Sequence, residues 1–325
     1  MKAAGVLVSG LSFLAMVTFG QEASWQEHMT AAAALRQAGR YREALGPMEE
    51  ALRAARSFDR DDERQAITRD ALAGAYDALG RLWHAERYQR EAITIGERIL
   101  GPENPRLAVP LNNLSSIYRE EGKFEPAWNL GWRALAMLER EPLPDRSSLA
   151  AVLGNLGMIA YRQGKLEQAE TLLRRSVDTA LLLASAEPSI YAETLSNLAL
   201  VYERKGKQRE AIGLVQLADS VIERAFGPED PRSARMLVDI ASIQSQVGET
   251  DNAIETFKRA IAAAEKGLGP NHPMIGEALA REATLLRKLH RRPEAATLAA
   301  RARAIARETA ANNFSLYTVD AHQGR

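Results

Sequence analysis

The chain of 325 residues contains no cysteine, and that absence removes a whole set of chemistries. Thiolate zinc sites, iron–sulfur ligation, cysteine nucleophiles and disulfides are excluded, as is a bacterial lipid anchor, which needs a cysteine at its cleavage site. An excess of charge of one sign is also missing: 42 Lys and Arg balance 42 Asp and Glu, for a formal net charge of +0. A general nucleic-acid binder needs a basic face to displace phosphate counterions, so nucleic acid is not an expected partner. Aromatic residues make up only 6%, and alternating Val–Ile–Thr runs are scarce. Ala is abundant, and the composition leans helical.

Long apolar runs are missing beyond the first twenty residues. There, Met1-Lys2 is a charged start, Ala4 to Phe19 carries no charge, and the run ends in small residues at Gly20, ahead of Gln21-Glu22. This is the three-part form of a secretory signal peptide, with cleavage expected after Gly20. Read instead as an uncleaved N-terminal membrane anchor, residues 4–19 are somewhat short for a hydrocarbon core of about 30 Å. A buried N-terminal helix is a third reading. The body from residue 21 onward is expected outside the cytoplasm, in the periplasm or the extracellular space.

Catalytic signatures are missing too. His28, His84, His272, His290 and His322 have no second His, Asp or Glu at a recognisable metal-ligand spacing. The acidic pairs Glu49-Glu50 and Asp61-Asp62 fall on exposed helix faces or just before a helix, where negative charge favours the helix N-terminus. No catalytic residue, metal ligand or cofactor is expected.

What is present is a repeat. GPENP at 101–105 returns as GPEDP at 227–231 and as GPNHP at 269–273, 126 and then 42 residues further on. A second series keeps the same stride after a first gap of 41: Gly39, Gly80, Gly122, Gly164, Gly206 and Gly248, with His290 where a seventh Gly would fall. Seven residues before each marker stands a small side chain: Ala32, Ala73, Ser115, Gly157, Ala199, Ala241 and Ala283. Small residues also fill the columns five after (Ala44 to Ala295) and twelve after (Ala51 to Ala302). Two antiparallel helices joined by a tight turn approach closely only where no bulky side chain separates them. Larger apolar groups, Leu72, Leu114, Leu156, Leu198 and Ile240, stand eight before the markers, at the helical period within each unit. The marker Gly ends the first helix of each pair in a left-handed residue. In GPENP, Gly101 closes a second helix, Pro102 forbids its continuation, Asn104 caps the next helix and Pro105 fits its first turn. Asp230-Pro231 repeats the arrangement, and in GPNHP Asn271 is the expected helper at the cap.

The stretches LNNLSSIYREEGKFEPAWNLGWRAL, LGNLGMIAYRQGKLEQAETLLRRS and LSNLALVYERKGKQREAIGLVQLA resemble the tetratricopeptide repeat family, in its 42-residue, kinesin-light-chain-like variety. The resemblance implies an all-α fold, a right-handed superhelical solenoid of about seven antiparallel helix pairs spanning residues 21–310, with a tail at 311–325. The first unit lacks the Asn-Leu pair and the last replaces Gly by His290, the drift expected of terminal units that face water.

Nine before the markers stand Asn113, Asn155 and Asn197, then Asp239 and Arg281. Asn competes with the helix backbone through its side chain, so its repetition in mid-helix calls for a reason. In the family the first helix of each pair lines the concave surface, and Asn there hydrogen-bonds the backbone of a bound peptide. The resemblance therefore implies a partner-binding groove built on Asn113, Asn155 and Asn197. Neighbours on that face are Asn112, Arg119, Tyr161, Arg162, Glu193, Ser196, Glu203, Arg235 and Arg287. The other reading of the Asn column is a polar tie between adjacent units. Lys does not precede the three Asn, so the chaperone-tail clamp of some relatives is not implied. The expected function is an exported protein–protein interaction scaffold. The alternative is an assembly subunit of an envelope complex, such as a pilus or secretion machine, acting through its convex face. Phe314, Leu316 and Tyr317 in the tail are apolar enough to fold back onto the last pair or enter the groove; a disordered tail is the other expectation.

Overall fold

The structure, a computed structural model, describes residues 22–36, 40–227 and 233–320, with the side chains of 235 and 310–320 outside that description. Residues 1–20, read above as a signal peptide or anchor, the marker Gly39, the Asp230-Pro231 cap expected from the sequence and residues 321–325 therefore lie outside the described residues. Among the described residues fourteen α-helices follow one another: α1 (22–36) and α2 (Tyr41–Ala55), α3 (Glu63–Ala78) and α4 (Leu82–Leu100), α5 (Ala108–Glu120) and α6 (Phe124–Glu139), α7 (Arg146–Arg162) and α8 (Leu166–Leu181), α9 (Pro188–Arg204) and α10 (Gln208–Phe226), α11 (Ala234–Val247) and α12 (Thr250–Leu268), α13 (Pro273–Lys288) and α14 (Arg292–Asp320). Consecutive helices pair across tight turns, as the 42-residue stride predicts. The chain divides into two compact units between Ser148 and Leu149.

The turns inside each pair share one construction. Gly80, Gly122, Gly164, Gly206 and Gly248 all take positive φ, between 69° and 90°. The next residue turns its N–H back to the carbonyl five residues earlier, as in Lys123 N to Tyr118 O and Lys207 N to Tyr202 O, both at 2.8 Å. This 6→1 bond is the Schellman closure. His290, in the seventh row, adopts φ 60°, the one positive φ of a non-glycine among the described residues, and Arg291 N reaches Leu286 O at 2.9 Å. An L side chain is strained there by roughly 1–2 kcal/mol. Replacing His290 with Gly should therefore raise stability by about 0.5–1 kcal/mol, after the extra chain entropy of Gly, read as an upward shift of the thermal midpoint. An unchanged or lower midpoint would refute the assignment of strain.

All three columns of small residues are buried, most of them fully: Ala73, Ser115, Ala199, Ala241 and Ala283 expose nothing, and neither do Ala44 to Ala253 in the next column. Two serines in these columns also donate hydrogen bonds across the close contact, Ser115 Oγ to Ala127 O at 2.6 Å and Ser176 Oγ to Ala150 O at 2.7 Å. Leu72, Leu114, Leu156, Leu198 and Ile240 fill the core beside them.

The links between pairs answer for the recurring GPENP. Gly101, Gly227 and Gly269 have φ 83° to 85° with ψ 152°, 170° and 160°, a region only glycine occupies without strain. Asn104 Oδ1 accepts from Arg106 N at 3.0 Å and caps the 3-10 turn Pro105–Leu107 that leads into α5. In the last link the cap is His272, not Asn271: its Nδ1 accepts from Met274 N at 3.3 Å. An Arg from the following pair reaches back to the helix before each of these glycines. Four residues before each of these glycines stands a Glu, and thirty-two after it an Arg. Arg133 bonds Glu97 at 2.8 Å and also the Pro102 carbonyl. Arg301 pairs with Glu265 and reaches the Pro270 carbonyl at 3.2 Å. Arg259 lies 3.9 Å from Glu223 and 3.1 Å from Asp219.

A second device recurs at an 84-residue interval. Glu86 on α4 accepts from Tyr118 Oη at 3.1 Å and from Lys123 at 3.0 Å, with Arg90 at 3.4 Å. Glu170 on α8 takes Lys207 at 3.3 Å, Lys205 at 2.6 Å and Arg174 at 3.0 Å, beneath Tyr202. Lys205 and then Lys207 hold the Glu170 carboxyl down at about 2 against the opposing effect of burial. In the row between, Trp128 and Trp132 replace the Glu and Arg, and Ala160 replaces the Tyr. The last helix departs from expectation: α14 continues through Asp320, so residues 311–320 prolong it instead of folding back.

Candidate functional site

Within each unit, successive first helices pack on one another, α3 on α5, α9 on α11 and α11 on α13, while among the described residues no two second helices of a unit pack to the same extent. The first helices therefore lie on the inner side of the stack, where the path is shorter. Polar side chains pin these helices together one repeat apart. In the first unit Asn113 Nδ2 donates to Asp70 Oδ1 on α3 in a long bond of 3.4 Å, and the same oxygen accepts from Gln89 Nε2 at 2.8 Å. Asn113 thus makes the tie that was one of the two readings of its column. Asn112 beside it is half-buried. Arg119 donates to Ser116 Oγ at 3.2 Å and pairs with Glu120 at 2.8 Å. Facing them, Asp77 has its carboxyl pushed above the usual range by burial and by Glu120, against the pull of Arg119.

In the second unit the residues named from sequence separate by depth. Asn155 is 7% exposed and Ser196 5%, with Ser196 Oγ spent on Ala192 O of its own helix at 2.9 Å. Both sit in the packing between helices. Tyr161, Asn197, Glu203 and Asp239 are half-buried; Arg162, Glu193, Arg281 and Arg287 are exposed. The side chain of Arg235 lies outside the described residues. Arg204 donates to Tyr161 O at 3.0 Å with its guanidinium 5.2 Å from the Tyr161 ring centre, which ties α9 to α7. Arg281 donates to Ser242 Oγ at 2.7 Å, tying α13 to α11, and pairs with Glu277. Arg287 folds onto its own helix, to Ala283 O at 3.3 Å and Thr284 Oγ1 at 2.9 Å. Ser242 was not foreseen as a member of this face. It stands three residues after Asp239, which holds the place of Arg281 one repeat earlier, so a search confined to that column passes it by.

The arrangement is a braced wall with hydrogen-bond donors, acceptors and charges along it. Among the described residues no three His, Cys, Asp or Glu side chains gather as metal ligands, and no helix is long and apolar enough to cross a membrane.

Comparison with known proteins agrees with this geometry. The family model for the tetratricopeptide repeat matches residues 26–98, 148–218, 191–266 and 232–308. No curated protein matches the chain. Among solved structures, BtubC (BKLC) from P. vanneervenii is 19% identical, with a TM-score of 0.53 over 77% of this chain and 92% of its own. The apo form of RapI is 10% identical, with a TM-score of 0.62 over 87% of this chain and 97% of its own. Aspartyl phosphate phosphatase F from Bacillus subtilis is 14% identical, with a TM-score of 0.61 over 89% and 72%. At these identities the likeness is one of fold. With its helix pairs, its Schellman turns and the family match over well more than half its length, the chain belongs to the tetratricopeptide repeat family.

Proposed function

We propose that the protein is an exported, non-enzymatic scaffold or adaptor that holds a peptide segment of a partner protein against the first-helix wall of its second unit. The observation that carries this reading is the row of solvent-reaching polar groups on α7, α9, α11 and α13. Asn197 and Asp239 stand at its centre, and Arg162, Glu193 and Arg281 stand in the open around them. The bonds from Arg204 to Tyr161 and from Arg281 to Ser242 brace the helices before any partner arrives, which lowers the ordering cost of binding. Mixed charge along the wall suits a peptide of mixed charge. Export rests on the charged start, uncharged run and small-residue end of residues 1–20, and N-terminal sequencing of the mature protein tests it.

Asn197→Ala with Asp239→Ala should leave the helical circular dichroism unchanged and weaken capture of the partner from envelope extract tenfold or more. That corresponds to one or two lost hydrogen bonds to a buried peptide. Capture that survives these changes but is lost on altering the second-helix face would instead favour an assembly subunit. The exposed Leu181 of α8 and Leu217 of α10 give that reading its support.

A further inference from the structure

On the other face of the first unit, α4 leaves a large side chain in the open. Trp83 is 64% exposed, yet its ring is held. It meets the His84 ring edge-on at 4.9 Å; His84 stacks on Tyr76 at 4.8 Å, and the buried Tyr76 stacks on Tyr88 at 5.7 Å. Arg87 joins the column, its guanidinium 5.7 Å from the Trp83 ring and 4.7 Å from the Tyr88 ring. An indole braced by a buried stack gives up little freedom on contact, and Trp and Arg are the side chains that most often dominate protein interfaces.

The ring walls a cleft of about 550 Å³ along α4. Four guanidiniums line it, Arg69, Arg87, Arg90 and Arg98, against two carboxylates, Glu86 and Glu91. The carboxylates are already engaged. Glu86, its side chain 18% exposed, is shared by Lys123, Tyr118 and Arg90, and Glu91 takes Arg69 at 2.9 Å and Arg87 at 3.5 Å. Arg98 pairs with Asp61 at 3.2 Å. Arg90 remains 64% exposed and Arg87 48%. The cleft therefore offers surplus positive charge beside a fixed apolar ring, in a protein whose net charge is zero.

We propose that this cleft is a docking surface for an acidic peptide segment of another protein. An apolar side chain of the segment would lie on Trp83, and its carboxylates would meet Arg87 and Arg90. The surface is separate from the first-helix wall and does not depend on it.

A random dodecapeptide library displayed on phage, selected on the full chain and counter-selected on Trp83→Ala, tests the assignment. Recovered peptides should be rich in Asp and Glu around an apolar residue. A synthetic copy should bind at least tenfold more weakly to Trp83→Ala and to Arg87→Ala with Arg90→Ala, and should lose affinity as NaCl rises from about 50 to 300 mM, as screening requires. Circular dichroism and the conservative Trp83→Phe, which should retain most of the binding, guard against misfolding. The Asn197→Ala, Asp239→Ala protein should bind the peptide like the wild type, so the two proposals fail separately. Failure to recover peptides, peptides without acidic bias, or equal binding by Trp83→Ala would overturn the proposal. Two further results would also overturn it by assigning the face elsewhere: self-association abolished by Trp83→Ala, or vesicles of anionic phospholipid bound through Trp83 that acidic peptide cannot displace.

Discussion

Glu282→Leu should make the protein more stable, by about 1–3 kcal/mol at neutral pH, the scale on which apolar replacements of buried ionic groups improve stability. Glu282 stands eight before His290, in the column filled by Leu72, Leu114, Leu156, Leu198 and Ile240. It is buried as they are, at 4% exposure. Burial pushes its carboxyl above the usual range and Glu294 adds to that, while Lys258 and Arg291 oppose it. A carboxyl whose folded value is raised weighs against folding at any pH above that value. The penalty fades as pH falls through it and is gone below the unfolded value near 4.5. The gain from leucine should therefore be largest near pH 7 and shrink by pH 4, as urea or thermal melts of both proteins at the two pH values would show. A gain that stays constant across that range would mean the raised carboxyl is not its source.

Gly157→Val should act in the opposite direction, costing about 3 kcal/mol, the upper end for overpacking a filled core. A Cβ at 157 would lie 2.5 Å from Leu173 Cγ and 2.9 Å from its Cδ2. Leu173 exposes nothing to solvent, so its branching carbon cannot swing aside. One repeat earlier the sizes are traded: Ser115 stands in the column of Gly157, and Gly131 in the column of Leu173. The pair shares one volume. Introducing Gly157→Val into a Leu173→Ala background should then cost much less than it does alone, because the truncation opens the space. Equal costs in the two backgrounds, measured by chemical denaturation, would place the strain in the backbone instead.

Much of the fold was legible because it depends on side-chain size at a constant stride. The three small columns marked where helices approach, and the marker series foretold left-handed turns down to His290. Less of the wall was legible. Asn155 and Ser196 carry the same residue types as the open positions, and only their depth in the packing separates them from Asn197. Depth is set by how far each helix rotates against its neighbours, which a single column does not record. The Glu86 and Glu170 clusters, and the clamps of Arg133, Arg259 and Arg301, were in principle readable. They use charged residues in register, but the partners sit in different columns of adjacent repeats, where a search within columns does not look. Glu282 was hidden for a related reason. A lone acid in an apolar column has no repeat of its own to announce it.

The third and fourth helix pairs meet through EPLPD, residues 141–145, where Leu143 is 92% exposed. No Gly-Pro breaker stands there, and Trp128 and Trp132 hold the places of the ionic pair. Within the first unit Glu86 to Lys123 and Glu97 to Arg133 join one pair to the next, and within the second Glu170 to Lys207 and the two later clamps do the same. A protease that cut the exposed chain at Leu143 would leave every one of these bonds intact.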